Sequence, residues 1–149
     1  MTTPRETFFE PLEYETRVIQ LQDALAASDI DLLVTCAPGN ICYLNGYVSV
    51  NVLDIMFVAV PVQGKPVFYL WQFERGRAES TVTGMETVCW DTGVDPIDFL
   101  VNDITHRGYK KGRIGIDTGS THTSFDTVQQ LLSHLEGQPT KGIIEKLRL

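Results

Sequence analysis

The residues best placed to do chemistry in this chain are Asp117-Thr118-Gly119-Ser120, which follow the apolar run Ile114-Gly115-Ile116. A carboxylate on such a turn can hydrolyse an amide when a second carboxylate shares its proton, which requires two turns or two copies. That chemistry belongs to all-strand surroundings, and here an amphipathic segment at helical spacing follows at once. A strand-to-helix connection accounts for the same residues with less. Asp and Ser/Thr side chains satisfy free backbone donors there, and Gly119 supplies the bend.

A second group is Asn40-Ile41-Cys42-Tyr43-Leu44-Asn45-Gly46-Tyr47, behind the run Asp31-Leu32-Leu33-Val34-Thr35. It reads as a short helical turn capped by Asn40 and ended by Gly46, with Tyr43 and Leu44 buried against a sheet. Trp71 and Trp90 stand at strand ends, where packing is the plainer role and a ligand cage the sharper one. Glu74, Arg75, Arg77 and Glu79 read as a solvated helix face. His106, His122 and His134 show no metal-ligand spacing, and no two of Cys36, Cys42 and Cys89 lie two to four residues apart. No metal site is therefore expected from this chain alone. An odd cysteine count fits reduced thiols and a cytoplasmic setting, with Cys89 read as a small buried thiol.

The elements that would position these residues alternate between helix and strand. Tyr14, Val18, Leu21 and Leu25 form one apolar stripe, predicting a helix from Glu13 to Ser28 behind Pro11. Asp31 to Cys36 reads as a buried strand broken by Pro38-Gly39, and Val50 to Val62 as a second apolar, β-rich run. Gln63-Gly64-Lys65-Pro66 is a hairpin turn and Val67 to Trp71 its returning strand. Gln72 to Thr81 is compatible with helix, and Thr87 to Trp90 is a short strand. Asp95 caps and Pro96 opens a helix that carries Ile97, Leu100, Val101 and Ile104 as far as Gly108. Lys110, Lys111 and Arg113 precede the strand Ile114 to Asp117. A helix from about Ser124 to Glu136 is expected to bury Phe125, Val128, Leu131, Leu132 and Leu135 and to end at Gly137. Ile143 to Leu149 is a last strand-like stretch. The pattern specifies an α/β fold, a three-layer α/β/α sandwich around a mixed, roughly six-stranded sheet.

Bulk properties narrow the partners. A chain of 149 residues fits one domain with a core of its own, and 43% hydrophobic with 21% charged residues is ordinary for a soluble globular protein. A formal charge of -7 opposes nucleic acid and anionic membranes as partners. No basic stretch leads into an apolar core at the N-terminus, so no leader is expected. No apolar run approaches the roughly 20 residues that span a bilayer.

In their order, these pieces resemble the N-terminal domain of the creatinase/prolidase family, which includes Xaa-Pro dipeptidases, aminopeptidases P, creatine amidinohydrolases and ectoine hydrolases. Glu13-Tyr14 with Arg17 is similar to the family's opening Glu-Tyr-x-x-Arg, and Ile30 to Thr35 to its first strand. Asn40, Tyr43, Leu44 and Gly46 match its Asn-x-x-Tyr-Leu-x-Gly turn. Glu74-Arg75 with Ala78, then Arg113 to Asp117, match later segments, and Ile144-Glu145-Lys146-Leu147-Arg148 resembles the Leu-Arg ending that leads into a catalytic domain. The resemblance covers almost the whole chain.

It implies that residues 1–149 form one non-catalytic domain with a ribonuclease-H-like motif. The segment Gly115 to Thr121, similar to the first phosphate loop of the actin and sugar-kinase ATPase group, then becomes a likeness of fold. Catalysis in the family belongs to a "pita-bread" domain, expected after residue 149. Its peptidase members hold two divalent metals (Mn, Co or Zn) there with two Asp, one His and two Glu; creatine-hydrolysing members work without metal. The N-terminal domain builds a homodimer and reaches the pocket of the neighbouring subunit, where a small molecule or dipeptide binds. By position, Tyr47, Asn51, Asp54 and Trp71 are expected to face that substrate. Where creatine-hydrolysing members carry an aromatic residue and then an Arg, this chain has Val52 and Asp54, which opposes creatine and favours a cationic end. Two other functions stay open: a stand-alone binding or oligomerisation module without enzyme activity, and a nucleotide-binding, ATPase-like fragment.

Overall fold

Pro11 opens the first helix, α1 (Pro11–Ala27), at a position where its missing N–H costs no intrahelical bond. The computed structural model describes residues 8–49, 55–109, 112–120 and 122–149. From α1 the chain enters β1 (Leu32–Thr35), buried at every residue as an inner strand must be. Then follow α2 (Pro38–Asn45), β2 (Phe57–Pro61), β3 (Val67–Trp71), a single 3₁₀ turn (Gln72–Glu74) and α3 (Arg75–Thr81). The remainder is β4 (Glu86–Trp90), α4 (Pro96–His106), β5 (Ile114–Asp117), α5 (Phe125–His134), β6 (Gln138–Thr140) and α6 (Ile143–Leu147).

The strands form one mixed sheet in the order β4-β3-β2-β1-β5-β6. β2 runs against both neighbours, with Val34 opposite Ala59 and Val58 opposite Phe68, while the β1–β5, β3–β4 and β5–β6 pairs are parallel. Because side chains alternate across a strand, each face acquires its own core. Leu33, Val58, Val60, Phe68 and Leu70 meet Leu21 and Leu25 of α1, Ile41 and Leu44 of α2, Ala78 of α3 and Ile144 of α6. On the other face Val34, Phe57, Tyr69 and Ile116 meet Ile97, Leu100 and Ile104 of α4 and Val128 and Leu131 of α5. Each fully buried side chain of this size contributes about 1.5–3 kcal/mol, so the two clusters fix the three layers.

Several elements depart from the sequence reading. The last segment, expected as a strand, is α6. Its turn starts from Gly142 at φ 80°, and burial of Ile144 orders it. The free edge of β5 is taken instead by β6, with Thr118 N–H donating to the Thr140 carbonyl at 3.0 Å. Pro139 is tolerated there because the strand lies at the sheet edge. Phe125, expected in the core, is 78% exposed at the first position of α5; Val128, Leu131 and Leu135 carry that helix's burial. Glu136, at φ 46°, makes the left-handed bend assigned to Gly137. Gly137 is required for another reason: a Cβ there would stand 2.7 Å from Ile116 Cγ1. Within the described part of the run Val50 to Val62, the strand is Phe57–Pro61. Residues 50–54, Lys110, Lys111 and Thr121 lie outside the described residues.

Candidate functional site

Asp117 ends β5 beside the end of β1, and both its oxygens are engaged. Oδ2 accepts from Thr35 Oγ1 and from Asn40 Nδ2, each at 2.7 Å, and Oδ1 accepts from Gly119 N–H at 3.3 Å. The last contact is the turn expected of a strand-to-helix connection. Asn40 does not cap α2, contrary to the sequence reading. The N-cap is Ala37, without a side-chain bond, because Pro38 starts the helix two residues earlier. Asn40, 1% exposed, instead turns inward. Its Nδ2 donates a second bond to Glu145 Oε1 at 2.9 Å, and its Oδ1 accepts from Arg148 Nη1 at 3.0 Å. One amide thus links two carboxylates and a guanidinium. Burial, aided by the charge of Asp117, pushes the adjacent Cys36 thiol up to about 12, so it stays protonated and unreactive.

A second seam joins this one. Arg17 of α1 donates to the Tyr43 carbonyl at 2.8 Å and pairs with Glu13 at 3.1 Å. Its guanidinium lies 4.4 Å from the Tyr43 ring centroid and 4.5 Å from that of Phe9. Tyr43, half-buried, donates its hydroxyl to the Leu147 carbonyl at 3.1 Å. Leu44 is buried in the core, and Gly46 ends α2 at φ 77°. Only glycine fits there, because a Cβ would stand 2.6 Å from Tyr14 Oη. The residues Glu13, Tyr14, Arg17, Asn40, Tyr43 and Gly46 therefore converge on one fastening between α1, α2 and α6.

Of the four residues expected to face a substrate, Tyr47 and Trp71 lie among the described residues, and they stand on opposite sides of the sheet. Tyr47 is 1% exposed, packs its ring 5.1 Å from that of Phe68, and donates its hydroxyl to Glu74. Ser49 Oγ donates to the other oxygen of Glu74 at 3.0 Å. Glu74 is thus buried, which corrects its placement on a solvated face; Arg75, Arg77 and Glu79 are exposed. Any contact of Tyr47 with a substrate would run through the segment it anchors. Asn51 and Asp54 lie outside the described residues. Trp71 sits across the sheet, half-buried, with its indole N–H donating to Thr92 Oγ1 at 3.2 Å. It shares a cavity of about 300 Å³ with Trp90, which is otherwise packed between Phe57 and Phe99. The buried role of Glu74 and the partners of Asn40 had no local signal in the sequence.

Among the described residues, no three or more His, Cys, Asp or Glu side chains are grouped to hold a metal ion. None of the described helices is long and apolar enough to cross a membrane.

The mixed sheet with helices on both faces and the motif seam define a class. The chain matches the Creatinase/Prolidase N-terminal domain over residues 17–149 and belongs to that family. It is 26% identical over 139 residues to the ectoine hydrolase of Halomonas elongata, in an alignment covering 83% of this chain and 33% of the relative. The chain thus spans about a third of the length of that curated relative. Among solved structures it is similar to the aminopeptidase P of Streptococcus thermophilus, with TM-score 0.72 and 22% identity, over 91% of this chain and 98% of that one. It is also similar to dipeptidase PepE from Mycobacterium ulcerans, with TM-score 0.75 and 16% identity, over 94% of this chain and 38% of that one. At these identities the solved structures share the fold.

Proposed function

We propose that this domain is the non-catalytic N-terminal part of a C–N hydrolase resembling Xaa-Pro dipeptidases and ectoine hydrolase. Its work is to supply homodimer contacts and part of the substrate pocket of the neighbouring subunit. The observation that carries this reading is the family match across residues 17–149, beside relatives of which the chain spans 33% and 38%. Bond cleavage then falls to a catalytic domain of the same or the neighbouring subunit, which would hold two divalent metals (Mn, Co or Zn). The described residues of this chain do not fit such a centre, so no step is assigned to a metal here. The substrate is a small molecule or dipeptide, with ectoine favoured by the 26% identical relative. Of the residues expected to face a substrate, Trp71 stands at the carboxyl end of β3 and is the one assigned to it, while Tyr47 is buried against Glu74, and Asn51 and Asp54 rest on the family resemblance alone. Three free thiols are in keeping with a cytoplasmic setting.

The test compares the 149-residue chain with the product of the whole gene. Both are assayed against ectoine and a panel of Xaa-Pro dipeptides with added manganese or cobalt, and weighed by light scattering. The expected outcome is turnover and a dimer mass for the gene product, with no turnover by the chain alone. Hydrolysis by the chain alone, or saturable ATP binding to it, would end this reading. A monomeric gene product with full activity would remove the dimer role.

A further inference from the structure

The parallel pair β3–β4 ends in the cavity of about 300 Å³ that holds Trp71, Trp90, Asp91, Thr92 and Val94. We infer that this cavity binds a small organic cation, with an alkylammonium group seated against Trp71 and Asp91 as its counter-charge. The inference shares Trp71 with the hydrolase reading, and binding to the 149-residue chain without turnover separates the two. It concerns a pocket that this chain builds from its own residues.

The cavity is formed before any ligand arrives. Trp71 is held from one side by its bond to Thr92 and from the other by the Phe73 ring, 4.5 Å away. With its N–H committed, the indole has its π-face to offer, and that face carries the negative end of the ring quadrupole. Trp90 is fixed by Phe57 and Phe99, each with ring centroids 6.0 Å from its own. The turn from Asp91 to Val94 is closed by the Val94 N–H on the Asp91 carbonyl at 3.2 Å, with Gly93 at φ 88° supplying the left-handed position. A rigid aromatic wall needs little reordering on binding.

Charge selects the sign of the ligand. Among the described residues the Asp91 side chain has no hydrogen-bond or ion-pair partner, and no lysine or arginine lines the cavity. Asp95 is already committed to capping α4, accepting from Ile97 and Asp98 N–H. Asp91 is exposed at the rim, so it repels an anion and attracts a cation without penalising the empty site. The volume stands at the small end of the range for ligand pockets, so a compact cation suits it better than an extended one. The mouth lies at the carboxyl ends of two parallel strands, a common place for ligands on α/β sheets.

The two tryptophans of the sequence both line this cavity, so intrinsic fluorescence reads it directly. The 149-residue chain is titrated with choline and with its uncharged isostere 3,3-dimethyl-1-butanol. Choline is expected to give a saturable change, with the isostere about tenfold weaker. The Asp91→Asn variant changes an exposed residue, so folding is spared, and it should bind choline roughly fivefold more weakly. A response that stays linear in choline, equal affinity for the isostere, or undiminished affinity in Asp91→Asn would each overturn the assignment.

Discussion

At the scale of single residues, Asn40 carries the most consequence. Its amide group serves Asp117 and Glu145 and its oxygen serves Arg148, so a hydrophobic residue in its place removes a hydrogen bond from three charged groups, of which Asp117 keeps Thr35 and Gly119. Each buried polar group left unpaired costs about 1–3 kcal/mol, and the partial exposure of Glu145 and Arg148 softens the total. Asn40→Leu should therefore lower the unfolding free energy by about 3 kcal/mol in urea titrations. Asn40→Asp places a third carboxylate among two, which raises its folded pKa above the ordinary value. Its stability deficit should then be smallest at low pH, grow as pH rises above the unfolded-state pKa, and level off above the folded one. A deficit below about 1 kcal/mol for both variants would show that the seam is not what holds α6. The importance of this position was legible in the sequence, but its partners were not. Asp117 lies 77 residues away and Arg148 lies 108 away, and local spacing carries no trace of either pairing. Glu74 failed for the same reason. Its charged neighbours suggested solvent, while Tyr47 and Ser49, 27 and 25 residues earlier, enclose it.

At the scale of elements, α4 is tied to the sheet edge by one arginine. Arg107 forks onto both oxygens of Glu86 on β4, at 3.0 Å each, and reaches Asp103 on its own helix at 2.7 Å. Tyr69 of β3 donates to the same Asp103 oxygen at 2.5 Å. The hydrogen bonds from Arg107 are the main reason the Glu86 carboxyl titrates below its usual 4.5. A carboxylate with a lowered folded pKa adds stability above its unfolded pKa and loses it as pH falls through the folded value. Wild type should therefore lose stability on acidification below about pH 4.5 partly through this pair. Arg107→Gln should flatten that acid limb, with a loss at neutral pH of no more than about 1 kcal/mol because both partners meet solvent. Melting curves from pH 3 to 7, compared between the two proteins, read this directly; parallel curves would refute it. α4 itself was legible in full, since Asp95, Pro96 and the 3.6-residue apolar spacing all agree. α6 and β6 were not. Paired isoleucines favour a strand locally, and a three-residue strand containing proline gives no pattern, so tertiary contacts decided both.

At the scale of the whole molecule, one sheet serves two cores, and neither core has strands of its own. The mixed sandwich was readable from alternation and from the 63–66 turn, which fixes β2 against β3. The position of β1 between β2 and β5 was not readable, because it brings together strands 82 residues apart, as between Asp31 and Arg113. This shared sheet has a thermodynamic consequence. Losing the α4–α5 layer would bare Val34, Phe57, Tyr69 and Ile116, and losing the α1–α2–α6 layer would bare Leu33, Val58 and Phe68 on the same strands. Neither half-structure keeps enough buried apolar area to survive alone, so the domain should unfold in one step. Tryptophan fluorescence reports on the β3–β4 end of the sheet, through Trp71 and Trp90, while far-UV circular dichroism reports on all the helices. The two signals should trace the same urea transition with the same midpoint and slope. A fluorescence change that precedes the loss of helix would mean that the cavity end opens separately, and that the sheet does not couple its faces.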